Sequence, residues 1–203
     1  MSPSGTGWKA WIRASCTVTF KFLTTKVGIC AVAKGGKGGV ASPGYPSENA
    51  GGGGAGGSVV NATSQSISVG TGYTVTIADN SSFGGLAVAS KGNDASGRSG
   101  GSGTSSSSAG GDGAISNDAA WPSPTYYGHG SGASGKYAFN DSSFDGVEYA
   151  HGGCGGETPG GGAGKGDTTG VYANPGAGGA GAGTSAWTGW TYGITGIVLM
   201  RNG

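Results

Sequence analysis

Hydrophobic and polar residues alternate along short stretches of the chain, and glycine-rich stretches separate them. The alternation is clearest in "CTVTFKF" (16–22) and "GYTVTIA" (72–78), while the apolar run "KVGICAVAKGG" (26–36) ends in glycine. Alternation with a period of two predicts β-strands, and so do short apolar runs bounded by glycine. The closing "GITGIVLMRNG" (193–203) predicts a further strand. Because no stretch has a helical period, we expect an all-β fold.

A Ser-Ser-Phe repeat connects predicted strands to glycine tracts. "SSFGGLAVASKG" (81–92) and "SSFDGVEYAHGG" (142–153) share Ser-Ser-Phe-x-Gly, then an aliphatic residue, then alanine three positions later. We predict that each copy is a strand that enters a glycine tract. This gives a modular layout in which strands form a base, glycine-rich segments run outward, and irregular loops lie between them.

Glycine dominates the composition, with 50 glycines among 203 residues. Disorder goes with high net charge and few aromatic residues, but this chain has a formal net charge of +1 and contains 5 Trp, 8 Tyr and 5 Phe. The glycines cluster instead of falling at every third position, which excludes a collagen register. The polyglycine II helix is stable when neighbouring helices supply its backbone partners. We therefore expect short strands plus glycine-rich segments packed as polyglycine II helices, with irregular aromatic loops.

Charge is unevenly distributed along the chain. Residues 1–47 carry six basic residues and no acidic residue, whereas the remainder carries five basic and ten acidic residues. We predict a basic amino-terminal strand or attachment segment at 1–25 and a glycine-rich domain at 26–203. Trp8 and Trp11 are the candidate attachment residues, and a small core around the first strand is the alternative explanation for both. A basic end could dock an acidic partner, although solvated strand faces explain the same charges.

Targeting and partner signals are absent from the sequence. The start "MSPSGTGWKAWIRAS" contains no apolar signal region, and no apolar window of about 18 residues predicts a membrane span. No nucleic-acid-binding motif accompanies the basic residues. We therefore predict neither membrane insertion nor nucleic-acid binding. The three cysteines, Cys16, Cys30 and Cys154, have unrelated spacings, which disfavours a disulfide scaffold and a zinc site.

The candidate motifs for catalysis and nucleotide binding are incomplete. "GGGAGKGDTT" (160–169) comes close to a phosphate-binding loop, but Pro159 and Gly166 stand where the motif needs glycine and a hydroxyl residue. The two histidines, His129 and His151, belong to no nucleophile motif. We therefore expect no enzymatic activity and no cofactor.

Metal-site signals are equally incomplete. His151 and Cys154 have a spacing that supplies half a metal site, and the other half is missing. Asp141 and Asp145 could bind calcium, but the nonapeptide repeat of calcium-binding β-rolls is absent from the sequence. We expect no bound metal.

Three predicted loops concentrate tyrosine, tryptophan and proline: "NDAAWPSPTYYGHG" (117–130), "SPGYPSEN" (42–49) and "DTTGVYANPG" (167–176). Proline stiffens such loops, and Tyr and Trp provide a large contact area for little ordering entropy. An alternative is that these aromatic residues cap a small core. The candidate contact residues are Tyr45, Trp121, Tyr126, Tyr127, His129 and Tyr172.

Four motifs together resemble the glycine-rich domain of phage tail and prophage proteins, across residues 26–203 apart from the loops. They are "GICAVAKGGKGG", "GGGGAGGSVV", "VGTGYTVTIADNSSFGGLAVASKG" and the closing "GAGGAGAG" with "GITGIVLMRNG". The chain is also similar to the distal-tip tail-fibre adhesins of T-even-like phages. Compared with those adhesins it has longer strands, fewer glycine tracts and no obvious fibre-attachment domain.

This resemblance implies a bundle of polyglycine II helices whose end loops bind a receptor on the host surface. It makes the six aromatic and histidine residues above candidate receptor-binding residues, with a protein or glycan as receptor. Other tail proteins, or further copies of the chain, are the expected additional partners, and the expected location is the virion, extracellular after lysis. One alternative is a purely structural virion or appendage component, and another is an ice-binding protein with flat polyglycine II faces.

Overall fold

A computed structural model describes residues 7–21, 25–40, 47–110, 115–117, 125–127, 132–153, 155, 174–179, 181 and 192–202, with backbone alone at 47–49, 115–117 and 125–127. These residues contain strands and one short 3₁₀-helix but no α-helix, which confirms the all-β prediction. The strands are β1 (Lys9–Ile12), β2 (Cys16–Thr19), β3 (Lys26–Val32), β4 (Ser47–Asn49), β5 (Val59–Ser66), β6 (Gly72–Ile77), β7 (Ser81–Phe83), β8 (Ala87–Ala89), β9 (Ile115–Asn117), β10 (Thr125–Tyr127), β11 (Lys136–Tyr137), β12 (Glu148–Tyr149) and β13 (Ile197–Asn202).

Two four-stranded antiparallel sheets pack face to face. The first sheet has the order β1-β13-β3-β5 and the second has the order β2-β6-β7-β8. The core between them contains Val27, Ile29 and Ala31 from β3 together with Val75 and Phe83 from the second sheet. β1 and β2, which lie in the predicted amino-terminal segment, pair with β13 and β6 of the predicted glycine-rich domain. The boundary at residue 25 stays a prediction.

The two central strands of the first sheet, β3 and β13, are buried on both faces, which explains their near-continuous apolar runs. Cys30 and Val32 face a second core that also contains Phe139, Phe144 and Tyr149. These three aromatic residues come from the segment 136–150, in which β11 pairs with β12 and the 3₁₀-helix Ala138–Asn140 follows β11. Strands covered on both faces read as apolar runs, whereas β6, covered on one face, alternates.

The two Ser-Ser-Phe copies lie on opposite sides of the first sheet. In the first copy, Ser81–Phe83 is β7 and leads into β8, as predicted. In the second copy, residues 142–144 form a turn and the strand begins only at Glu148, so the prediction for Ser142–Phe144 is wrong. The Asp141 carboxylate explains the turn, because Oδ1 accepts hydrogen bonds from the backbone N–H (2.9 Å) and the hydroxyl (2.6 Å) of Ser143.

A central glycine segment, residues 50–58, exchanges backbone hydrogen bonds with its neighbours at every third residue. Its N–H groups donate in two series of this period, and its carbonyl groups accept in a third. The N–H groups of Gly52, Ala55 and Ser58 donate to the carbonyl groups of Gly97, Asn93 and Ser90, in that order. Those of Gly54 and Gly57 donate to Gly179 and Gly176. The carbonyl groups of Gly52, Ala55 and Ser58 accept from the N–H groups of Gly39, Gly36 and Ala33. A repeat of three is that of a threefold extended helix, whereas a strand repeats every two residues. Polyglycine II as the conformation of these segments stays a prediction.

At least six passes of the chain, counted among the described residues, surround the central segment and form the glycine bundle with it. They belong to residues 33–40, 90–97, 101–103, 107–110, 150–153 and 176–179, and each donates or accepts a backbone hydrogen bond or lies against its glycines. The packing leaves no room for side chains at the contacts. A Cβ atom on Gly54 would lie 2.3 Å from the Gly36 carbonyl oxygen, and one on Gly152 would lie 1.8 Å from that of Ala109. Glycine is therefore required by close backbone approach.

Candidate functional site

The candidate site is a third sheet with the strand order β10-β9-β4. Both pairs are antiparallel, so Tyr126 pairs with Ser116, which pairs with Glu48. Tyr127 pairs with Ile115 in the neighbouring row. Two of the candidate contact residues thus lie in an edge strand. The prediction of an irregular loop is wrong for the backbone of Thr125–Tyr127.

The glycine segments separate this third sheet from the two packed sheets. β4 leads directly into the central segment at residue 50, and the central segment leads directly into β5 at residue 59. The central segment therefore connects the third sheet to the β-sandwich that the two packed sheets form.

The other candidate contact residues, Tyr45, Trp121, His129 and Tyr172, lie outside the described residues. Tyr45 comes two positions before β4 in the sequence, and Trp121 and His129 flank β10. The described residue nearest to Tyr172 in sequence is Asn174, whose Nδ2 donates to the Glu148 carbonyl at 2.8 Å, next to the sandwich. Tyr172 therefore differs from the other five candidates, because its nearest described residue in sequence does not belong to the third sheet or adjoin it.

The two candidate attachment residues have different surroundings. Trp8 packs against the core between the two sheets, with its ring centroid 6.4 Å from that of Phe20. Trp11 is 42% exposed and lies over Phe144, with ring centroids 5.7 Å apart. The geometry favours the core explanation for Trp8 and leaves Trp11 at the surface.

Trp11 belongs to a cluster that the sequence did not indicate. Asp145 Oδ2 accepts hydrogen bonds from Trp11 Nε1 at 3.2 Å and from the Tyr149 hydroxyl at 2.7 Å. Burial and the neighbouring carboxylate raise the pKa of Tyr149. The Lys9 ammonium lies 4.9 Å from the centroid of the Phe144 ring, in a cation–π contact. Only the register of β1 against β13 and the turn at 141–146 bring these residues together.

The predicted metal candidates are engaged in hydrogen bonds within the protein. Asp141 accepts from Ser143 and lies 3.2 Å from Arg201, and Asp145 accepts from Trp11 and Tyr149. Among the residues that the structure describes, no group of three or more His, Cys, Asp or Glu side chains is placed to hold a metal ion. Cys154 lies outside them.

The buried His151 joins the glycine bundle to the β11–β12 pair. Its Nδ1 accepts from the Gly135 N–H at 3.1 Å, and its Nε2 lies 2.8 Å from Glu148 Oε2. The imidazole therefore lies between Gly135 and β12 and contacts both.

No protein-family model, no curated protein and no solved structure matches this chain. The resemblance to phage tail proteins therefore depends on the motifs alone. Within the described part of the chain, no helix is long and apolar enough to cross a membrane.

Proposed function

We propose that the chain is a non-enzymatic tail-tip or tail-fibre protein of a phage or prophage, which binds a receptor on the host surface through the end that carries β10. One observation supports this proposal above the others: hydrogen-bonded glycine segments separate a β-sandwich from a small sheet whose edge strand is Thr-Tyr-Tyr. That arrangement suits the presentation of a contact surface at a distance from an anchoring domain. The motif resemblance supports the same role.

The glycine bundle suits a rigid support. Its central segment is hydrogen-bonded on several sides, and its glycines bring backbones into direct contact. We propose that these segments are polyglycine II helices. Such helices have no internal hydrogen bonds, so their rigidity comes from the lateral bonds to neighbours.

The proposed receptor contacts are the aromatic residues in and around β10. Tyr and Trp bury large areas at low entropic cost, and they dominate the binding energy of many interfaces. Tyr126 and Tyr127 are the central members of this set, with Trp121, His129 and Tyr45 near them in sequence. The receptor is a protein or a glycan, and no cofactor or metal takes part. The protein acts as part of the virion, outside cells after lysis.

Adsorption to intact bacteria tests this proposal. The fluorescently labelled protein is incubated with a panel of strains, alongside the triple variant Trp121→Ala, Tyr126→Ala and Tyr127→Ala. Trp11→Ala is the matched control, because it removes an exposed aromatic residue from the sandwich. We expect binding to a narrow set of strains, lost in the triple variant and kept in the control. Equal binding by a folded triple variant would contradict the site assignment.

A purely structural role in a virion or appendage is the second candidate, and the strand order favours it. β10 and β4 are the edges of the third sheet, and an edge strand is a template for pairing with another chain. In that case the triple variant would block assembly with tail components or with itself, which sedimentation velocity measures, and no strain of the panel would bind the protein.

A further inference from the structure

β2 is an edge strand of the second sheet, far along the chain from the proposed receptor site. Among the described residues it pairs with β6 alone, so its other side has no strand partner. Cys16, Thr17 and Thr19 are exposed and Val18 is half-buried. Natural edge strands are often blunted by proline, by a bulge or by a charge within the strand, and β2 contains none of these.

Positive charges flank this open edge on both sides. Arg13 lies three residues before β2 and Lys21 two residues after it, and both are exposed. No described carboxylate forms an ion pair with either residue. The first acidic residue in the whole sequence is Glu48. Within the described part of the chain, the edge therefore combines backbone groups that have no strand partner with cations at each end.

The outer face beside this edge is uncharged and regular. Thr17 pairs with Thr74, and Thr76 of β6 pairs with Ser82 of β7. Thr17, Thr74 and Thr76 are exposed. Small β-branched residues of this kind accommodate an added strand, because they favour the extended conformation and project little beyond the pleat.

We propose that β2 is a docking strand for another protein, and that its partner is an extended segment with acidic residues on both sides of a β-prone centre. The segment adds to the second sheet as a fifth strand. Backbone hydrogen bonds to β2 supply affinity, and the flanking carboxylates pair with Arg13 and Lys21. The surface lies in the predicted amino-terminal attachment segment, but it does not depend on Trp8 or Trp11.

Charge argues against a second copy of this chain as the occupant. Antiparallel pairing of two β2 strands brings Arg13 of one copy beside Lys21 of the other, and parallel pairing brings each cation beside its own counterpart. Like charges placed opposite each other destabilise a strand pair. An acidic segment removes this repulsion and replaces it with attraction.

Binding of short synthetic peptides to the full chain tests the proposal. The probe has a Thr-Val-Thr-Val centre and two aspartates at each end. One matched peptide carries lysines in place of the aspartates, and another keeps the aspartates but carries prolines in the centre, where they remove backbone donors. Fluorescence anisotropy measures affinity, and amide hydrogen exchange reports protection of residues 16–19.

The expected result is binding of the acidic strand peptide alone, with slower exchange at β2. The double variant Arg13→Glu and Lys21→Glu should weaken that binding about tenfold or more, since like charges then face each other. The control variant Arg98→Glu and Lys136→Glu makes the same change in net charge at an exposed residue between two bundle segments and at a half-buried residue of β11. It should bind as the unmodified protein does.

Three outcomes would overturn the proposal. If the proline peptide bound as tightly as the acidic strand peptide, charge attraction without strand addition would explain the binding. If the basic peptide bound as tightly as the acidic one, charge would not contribute to recognition. A β2-mediated dimer in sedimentation would identify a second copy as the occupant. None of these outcomes bears on adsorption to bacteria, so this proposal and the proposed receptor function fail independently.

Discussion

A Cβ atom on Gly57 would lie 2.0 Å from the carbonyl oxygen of Ala33, in the neighbouring glycine segment. The obstructing atom belongs to the backbone, so it cannot turn away as a flexible side chain does. This contact lies where the glycine segments leave the sandwich, because Ala33 follows β3 and Ser58 precedes β5. The glycines of the bundle are accordingly constrained by packing against each other's backbones.

The variant Gly57→Ala should therefore destabilise the protein by about 3 kcal/mol, the upper range for overpacking in a tightly packed site. Urea unfolding measures the change. Gly70→Ala is the comparison, because Gly70 has a positive φ of 79° and open space around it. Its cost should be about 1 kcal/mol, from backbone strain alone. Equal losses in the two variants would contradict the close packing of the bundle.

Among the described residues, Phe83 has the largest fully buried side chain, and it lies in the core between the two sheets. Phe83→Ala should cost about 3–5 kcal/mol, because it removes a buried aromatic ring and leaves a cavity. Val88→Ala on the adjacent strand is the matched control, since Val88 is 55% exposed, and its effect should stay within about 0.5 kcal/mol. Thermal unfolding monitored by circular dichroism distinguishes the two. A small loss for Phe83→Ala would mean that the sheets do not share this core.

The tryptophans of the amino-terminal segment should behave differently from each other. Trp8→Ala should lower stability by about 2 kcal/mol, because the indole packs partly buried against the core. Trp11→Ala should cost about 1 kcal/mol, because it loses an exposed hydrogen bond to Asp145 and its contact with Phe144. Equilibrium unfolding in urea measures both. The reverse order would favour Trp11 as the structural residue and Trp8 as the attachment residue.

Cys30 should make the protein less stable in alkali. Burial raises the pKa of its thiol from 9.0 to about 12. In the unfolded chain the thiol ionises near pH 9, while in the folded chain it stays protonated, so unfolding releases a proton above pH 9. The contribution of the Cys30 thiol to the free energy of unfolding is therefore fully present below pH 9. Above that pH the free energy of unfolding falls by up to about 1.4 kcal/mol per pH unit between the two pKa values.

Cys30→Ala is the test of this pH dependence. It lowers stability at pH 7 through a small cavity, but it should remove the part of the decline that begins near pH 9. Tyr149, whose pKa is also raised, contributes to the remaining decline at higher pH. Urea unfolding between pH 7 and pH 10 compares the slopes of the two proteins. Identical slopes would show that Cys30 is solvated or already ionised in the folded state.

Much of the sandwich could be predicted from the sequence, because one periodicity decides each element. Alternation in 16–22 and 72–78 predicted β2 and β6, and the apolar runs predicted β3 and β13. β1 was not predicted, because a strand of only four residues carries too weak a periodic signal on its own. Its partner β13 lies at the other end of the sequence.

Other features depend on contacts that a local pattern does not contain. Phe83 and Phe144 stand in equivalent positions of the repeat and are both buried, but they belong to different cores. The first copy has β6 as a strand partner, whereas the Asp141 side chain holds the second copy in a turn. For the glycine segments, identical residues follow one another, so nothing in the sequence assigns which segment contacts which.

The position of β13 between β1 and β3 has a consequence for how the chain folds. β13 comes after the other described strands in the sequence and lies between two of the first three, so the first sheet cannot close until residue 202 has left the ribosome. The hydrogen bonds of the central segment to Gly176 and Gly179 also wait for late residues. Contacts between such distant positions predict slow folding. Until then β1 and β3 keep open edges, and nascent chains in a crowded cell are vulnerable to pairing with one another.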